Sequence, residues 1–187
     1  RPLLLERLYP YLQRSPVRQR AMARQFFGQQ LDAWRDPGFG HEPRWRSTRA
    51  LIRLLTPETQ ADAAHTDARA TLLATLPQDF ADWSWLSQDQ YLEIRTLLSG
   101  YLLSAQGDRM LMAHSVEGRF PFLDRNVAAL AESLPPEYKL RVLDEKHVLK
   151  RASQGAVPTS ILQRTKQPYR APDALSFASP AAADWIE

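Results

Sequence analysis

Apolar residues recur along this chain at the three-to-four spacing of helices, and strand-like alternation is missing from every stretch of five or more residues. Residues 15–31, SPVRQRAMARQFFGQQL, set Met22 four before Phe26 and Ala23 four before Phe27. Ser15 suits the N-cap of that helix and Pro16 its first position. A Pro/Gly/Trp-rich loop follows at 35–46. A short helix is then expected over 47–55, capped by Ser47, with Leu51, Leu54 and Leu55 on one side. Thr56 followed by Pro57 repeats the cap-then-proline signal and opens a helix over 56–76. The strongest helical pattern lies at 87–112. There Tyr91, Ile94, Leu97, Leu98, Tyr101 and Leu102 share one face, weakened by Gly100.

Past residue 112 the pattern changes. MAHSVEGRFPFLD (112–124) sets Glu117 and Arg119 against the apolar knot Phe120–Leu123. Asp124 then caps RNVAALAESL, predicted to turn Val127, Leu130, Ala131 and Leu134 inward. PPEYKLRV connects to a helix over DEKHVLKRAS (144–153), which ends near Gly155 and Pro158. TSILQ begins as a helical turn and runs into a Pro-rich extended segment. The pattern predicts a mainly α chain, a single helical unit over 1–187.

Composition narrows this. The 187 residues are 44% hydrophobic and 24% charged, with five Trp, as in a protein with a core. No stretch reaches the roughly 18 apolar residues of a membrane span. RPLLLERLYPYL at the start is interrupted by Glu6, Arg7 and Pro10, so it does not read as a signal peptide. The chain contains no Cys, which excludes disulfides and thiolate chemistry and fits a cytoplasmic protein. A net charge of +3, spread over separate amphipathic faces, does not favour a nucleic-acid partner. The chain starts at Arg1 and stops within AAADWIE, and it reads as a piece of a longer protein.

Candidate chemistry is sparse. His41, His65, His114 and His147 lack metal-ligand spacing, so no metal site is expected on them. No nucleotide-binding glycine loop or nucleophile elbow is present. Two stretches stand out. In GDRMLMAHSVEGRFPFLD (107–124), Asp108 with Arg109 and Glu117 with Arg119 form either ion pairs over a Phe/Leu core or charges lining a cleft. In 144–172, Lys146 and Lys150 lie one helical turn apart, and Arg164, Lys166 and Arg170 follow. These make either a phosphate-binding surface or a solvated basic face. Lys146 is expected in the first helical turn, where an anionic ligand would offset its clash with the helix dipole.

Read together, these stretches resemble the C-terminal part of the synthetase domain of the glutamine-hydrolysing asparagine synthetase family. That family carries D-R-x-S-M-A-x-S-V-E-x-R-x-P-F-L-D, matched here by Asp108–Asp124. A Lys followed by a hydrophobic pair and a basic residue matches Lys146-His147-Val148-Leu149-Lys150, and an R-x-K segment before an aromatic matches Arg164–Tyr169. The motifs fall within 88–172. Leu111 stands where the family usually has Ser, Gln106 where Lys often precedes the D-R pair, and Gly118 replaces the common Ala.

The resemblance implies a helical C-terminal part of an α/β ATP-pyrophosphatase-type domain. It implies a ligase that uses ATP and Mg²⁺ to adenylate the side chain of aspartate, then amidates it with glutamine-derived ammonia delivered through a tunnel. The ATP-binding half and the glutaminase domain would lie upstream in the same chain. This piece would then be inactive alone. By the family pattern Lys146 is the catalytic residue, stabilising charge on the transferring phosphate. Its expected first-turn position would add backbone N–H groups facing the anion. Lys150, Arg164 and Lys166 are candidates on the nucleotide side. Asp108, Arg109, Glu117, Arg119 and Asp124 are expected to support the turn, so that Glu117→Ala costs stability more than substrate affinity. Other acceptors, as in β-lactam closure or peptide amidation, stay open. So do a homo-oligomer and a non-enzymatic helical interaction module or nucleic-acid binder.

Overall fold

The computed structural model describes residues 17–28 and 31–164. Ser15, Pro16, Lys166 and Arg170 lie outside the described residues. Helices dominate. They are α1 (Val17–Phe27), α2 (Glu42–Ala50), α3 (Pro57–Ala64), α4 (Ala68–Leu73), α5 (Trp85–Glu93), α6 (Arg109–Ala113), α7 (Arg125–Ser133), α8 (Pro136–Lys139), α9 (His147–Ala152) and α10 (Thr159–Leu162). The described strands are β1 (Leu140–Arg141) and β2 (Asp144–Glu145), paired antiparallel. The chain is mainly α, as its pattern predicts. None of the described helices is long and apolar enough to cross a membrane.

Capping explains several boundaries. The Thr56 hydroxyl accepts from Thr59 N–H and Pro57 opens α3, as expected. The predicted 56–76 helix is nevertheless broken at 65–67. Asp67 there caps a second helix by accepting from Ala70 N–H at 3.0 Å, a bond that holds its carboxyl below the usual range. Ser47 caps nothing. The helix begins five residues earlier, with Pro43 in its first turn, and Ser47 Oγ donates back to Pro43 O at 3.0 Å.

The predicted 87–112 helix runs unbroken from Trp85 to Ala113, but its middle, Ile94–Asp108, is wound as a π-helix. Arg109 N–H, for example, donates five residues back to Ser104 O. An i→i+5 winding needs more residues per turn than the α-helix, so side chains spaced for an α-helical stripe rotate off a common face. Ile94, Tyr101 and Leu102 accordingly remain exposed.

The core sits where α5 meets the chain before it. Phe80 and Leu92 are the buried hydrophobics among the described residues. Trp83 and Tyr91 ring Phe80, with centroids 5.4 and 5.8 Å away. Buried Gln88 donates to Trp83 O at 3.0 Å, which removes the penalty of an orphaned amide. Gly38, at φ +81°, lies where a Cβ would come within 2.6 Å of the Trp45 ring. No other residue type both adopts that conformation easily and clears the indole.

The apolar faces predicted further along stay open. Val127 and Leu130 on α7, expected to face inward, are exposed, and so are Phe120, Phe122 and Leu123 of the knot. Asp124 still caps α7, accepting from Asn126 and Val127 N–H at 2.9 and 3.2 Å. The local signal holds and the burial does not.

Candidate functional site

The segment from Leu140 to Ala152 is a hairpin that feeds a helix. Leu140 pairs with Glu145 and Arg141 with Asp144, which leaves Val142 and Leu143 as a two-residue turn. Val142 sits at φ 59°, a conformation such turns usually give to Gly. Lys146 follows at φ 55°, ψ 33°, also left-handed, and its carbonyl accepts from Lys150 N–H at 2.9 Å. Lys146 is therefore the N-cap residue of α9, not a residue of its first turn. The helix expected over 144–153 starts only at His147, because Asp144 and Glu145 are taken up by the hairpin. With six residues in α9, backbone N–H groups are no basis for an anion site here.

Charge in this segment converges on Asp144. One carboxylate oxygen accepts from Lys150 Nζ at 2.6 Å and the other from His147 Nδ1 at 2.6 Å. These contacts, Lys150 first and His147 second, hold the Asp144 carboxyl below its usual range. The side chain of Lys146, an exposed residue, makes no hydrogen bond or ion pair among the described residues. Arg164 likewise forms no side-chain hydrogen bond or ion pair with Asp144, His147 or Lys150.

The other predicted residues separate into two groups. Glu117 and Arg119 pair at 2.7 Å, but their side chains are 73% and 79% exposed, so this is a solvated surface pair. Asp108 and Arg109 lie inside the long helix and form no ion pair among the described residues. The knot beside Glu117 does not cover them: Phe122 is 69% exposed.

A second charged cluster escaped the motif reading. His41 is buried, with Trp45 stacked on its ring at 5.5 Å. Its Nε2 lies 3.2 Å from the Asp89 carbonyl, and its Nδ1 lies 2.8 Å from Arg44 Nη2. The same Nδ1 lies 3.2 Å from Glu93 Oε2, so a donor-only and an acceptor-only partner meet at one ring nitrogen. Arg44 also holds Glu93 through both guanidinium nitrogens, at 2.9 and 3.4 Å. His41, Arg44, Asp89 and Glu93, with Phe26, Gly40, Pro43 and Gln90, line an open hollow of about 440 Å³. The Asp89 carboxyl is pushed above its usual range, mainly by desolvation, although 55% of its side chain meets solvent. The sequence signal was available: Asp89 and Glu93 lie four apart on a helix and so share a face. Among the described residues, neither cluster has three or more His, Asp or Glu side chains arranged to hold a metal ion.

The profile of the asparagine synthase family matches residues 2–187. The chain belongs to the asparagine synthase family. The match takes in the N-terminal helices that the motifs at 88–172 leave out. A Mycobacterium tuberculosis (strain ATCC 25618 / H37Rv) protein named "Putative asparagine synthetase (glutamine-hydrolyzing)" is 34% identical over 123 residues, 66% of this chain and 18% of that protein. Asparagine synthetase (glutamine-hydrolyzing) 1 of Bacillus subtilis (strain 168) is 36% identical over 92 residues, 49% of this chain and 14% of that protein. Amidase chry2 of Gibberella zeae is 30% identical over 96 residues, 48% of this chain and 14% of that protein. The matched stretch thus spans less than a fifth of the length of each of these relatives. No solved structure matches significantly.

Proposed function

We propose that the polypeptide carrying this chain is an ATP-dependent carbon–nitrogen ligase that converts aspartate to its amide. The aspartate side-chain carboxylate attacks the α-phosphorus of ATP and pyrophosphate leaves. Ammonia, released from glutamine elsewhere in the polypeptide, then bonds to the acyl carbon, AMP departs with the C–O electron pair, and the nitrogen sheds a proton. Lys146 is the residue of this chain that touches the reacting phosphate. Charge that develops there is stabilised by a fixed cation more strongly than the ground state is.

One observation carries this reading: in a chain of this family, the ammonium of Lys146 is exposed and unpaired among the described residues, while its neighbour Lys150 is held by Asp144. An unpaired cation fits a phosphate group. The described residues offer no comparable fit for Mg²⁺, so its ligands and most of the nucleotide contacts fall to the rest of the polypeptide. The piece alone is accordingly inactive. The relative named as an amidase supports a second reading, in which the same activation serves another acceptor.

The test is pyrophosphate release from Mg²⁺-ATP with aspartate and ammonia, measured on the natural full-length polypeptide and on Lys146→Met. Aspartate-dependent release that falls about 10²-fold or more in a folded variant supports both parts. Release that survives the substitution keeps the ligase and discards Lys146. Release that depends on another carboxylate substrate moves the enzyme to the second reading.

A further inference from the structure

Lys146 and Lys150 are both chemically able to meet a phosphate, and their sequence spacing does not choose between them. The structure treats them differently. Lys150 donates to Asp144 at 2.6 Å with its side chain 32% exposed, and His147 occupies the other carboxylate oxygen at 15% exposure. Each oxygen of Asp144 has one partner, and the ion pair with Lys150 is electrically balanced. Lys146 lies in sequence between Asp144 and both of its partners and takes part in neither contact. Its backbone is left-handed, which a Lys holds only where its surroundings impose it. Here they do so from both sides. The β1–β2 pairing fixes Asp144 before the turn, and the Asp144 carboxylate reaches across it to α9 at two points.

We infer that Asp144 is a positioning residue that partitions the two lysines: it withdraws Lys150 from the anion-binding set and, by fastening β2 to α9 across Lys146, presents Lys146 as the single available ammonium of this segment. That the anion is a nucleotide phosphate or pyrophosphate rests on the proposed ligase reading; the partition itself does not. The lowered titration of Asp144 agrees with the geometry, since a carboxylate held by Lys150 and His147 stays ionised and keeps the clamp closed at neutral pH.

Two measurements on the full-length polypeptide test this. The first is the rate of acylation of each lysine by limiting acetic anhydride, followed by peptide mass spectrometry. Lys146 is expected to react several-fold faster than Lys150, and Asp144→Asn to bring Lys150 up towards Lys146. Equal rates in the unsubstituted protein overturn the partition. The second is inhibition of the ligase reaction by inorganic pyrophosphate. Asp144→Asn frees a second cation and is expected to tighten this inhibition about three-fold, a gain that mere loss of structure does not produce. Unchanged inhibition in a folded Asp144→Asn overturns the inference; weaker inhibition supports the fastening of Lys146 and overturns the withdrawal of Lys150.

Should Asp144→Asn fail to fold, Lys150→Gln decides. It is expected to alter pyrophosphate inhibition by less than about two-fold, while Lys146→Gln weakens it more than about ten-fold. Equal losses sink the partition. A polypeptide that releases no pyrophosphate with any acceptor refutes the ligase reading instead, and the acylation rates still decide the role of Asp144.

Discussion

Arg44 grips Glu93 with both guanidinium nitrogens, at 2.9 and 3.4 Å, and so bolts α2 to α5 across 49 residues of sequence. The same guanidinium lies 2.8 Å from Nδ1 of the buried His41. Arg44→Met keeps much of the aliphatic stem and removes the fork. With both partners partly exposed, at 40% and 44%, solvent screening limits the loss to about 1 kcal/mol. The melting temperature is expected to fall, and a double-mutant cycle with Glu93→Gln should show that the pair accounts for most of the change. A cycle with no coupling would mean the fork is incidental.

Asp89 sets a pH dependence whose sign can be worked out. Its carboxyl is raised above the ordinary 3.8, first by desolvation, against the opposing pull of His41 and with the help of Glu93. The folded state therefore binds the proton more tightly than the unfolded state does. The cost to stability is absent below 3.8, grows as pH rises through the folded value, and is complete above it. Asp89→Asn is expected to melt at a higher temperature than the unsubstituted protein at neutral pH. The difference should disappear below about pH 3.5. A variant that is less stable at neutral pH would show that the favourable term with His41 outweighs desolvation.

Glu117 and Asp124 separate a surface ion pair from a helix cap. With both Glu117 and Arg119 exposed, Glu117→Ala is expected to cost no more than about 1 kcal/mol. Asp124→Ala leaves two backbone N–H groups of α7 without their acceptor, at a cost of about 1 kcal/mol. Chemical denaturation of the two variants should rank Asp124→Ala as the more damaging. The reverse order would require Glu117 to bear on something the ion pair does not explain.

Much of the helical layout was legible in sequence, for reasons that are local. Thr56 before Pro57 and Asp124 before an amphipathic run announce helix starts, because a cap needs only the next three residues to work. Where the reading missed, a local rule met a competing partner. Ser47 looked like a cap, yet the helix had already begun over Glu42 and Pro43. Lys146 looked like a helical residue, yet the hairpin at Leu140–Glu145 claimed the two residues before it. The His41 cluster was invisible to motif reading because its members are drawn from positions 41, 44, 89 and 93.

The sequence by itself determined the helical class, the family and the candidate lysines, since periodicity, capping chemistry and short motifs are all read within a few residues. Only the tertiary structure decided which charges are spent on each other. Lys150 is held by Asp144 while Lys146 is left open, and Glu117 and Arg119 pair in solvent over an exposed knot. The physical reason is that pairing and burial depend on distances between groups. Those distances are set by a left-handed turn at Lys146, a two-residue hairpin and the winding of one long helix.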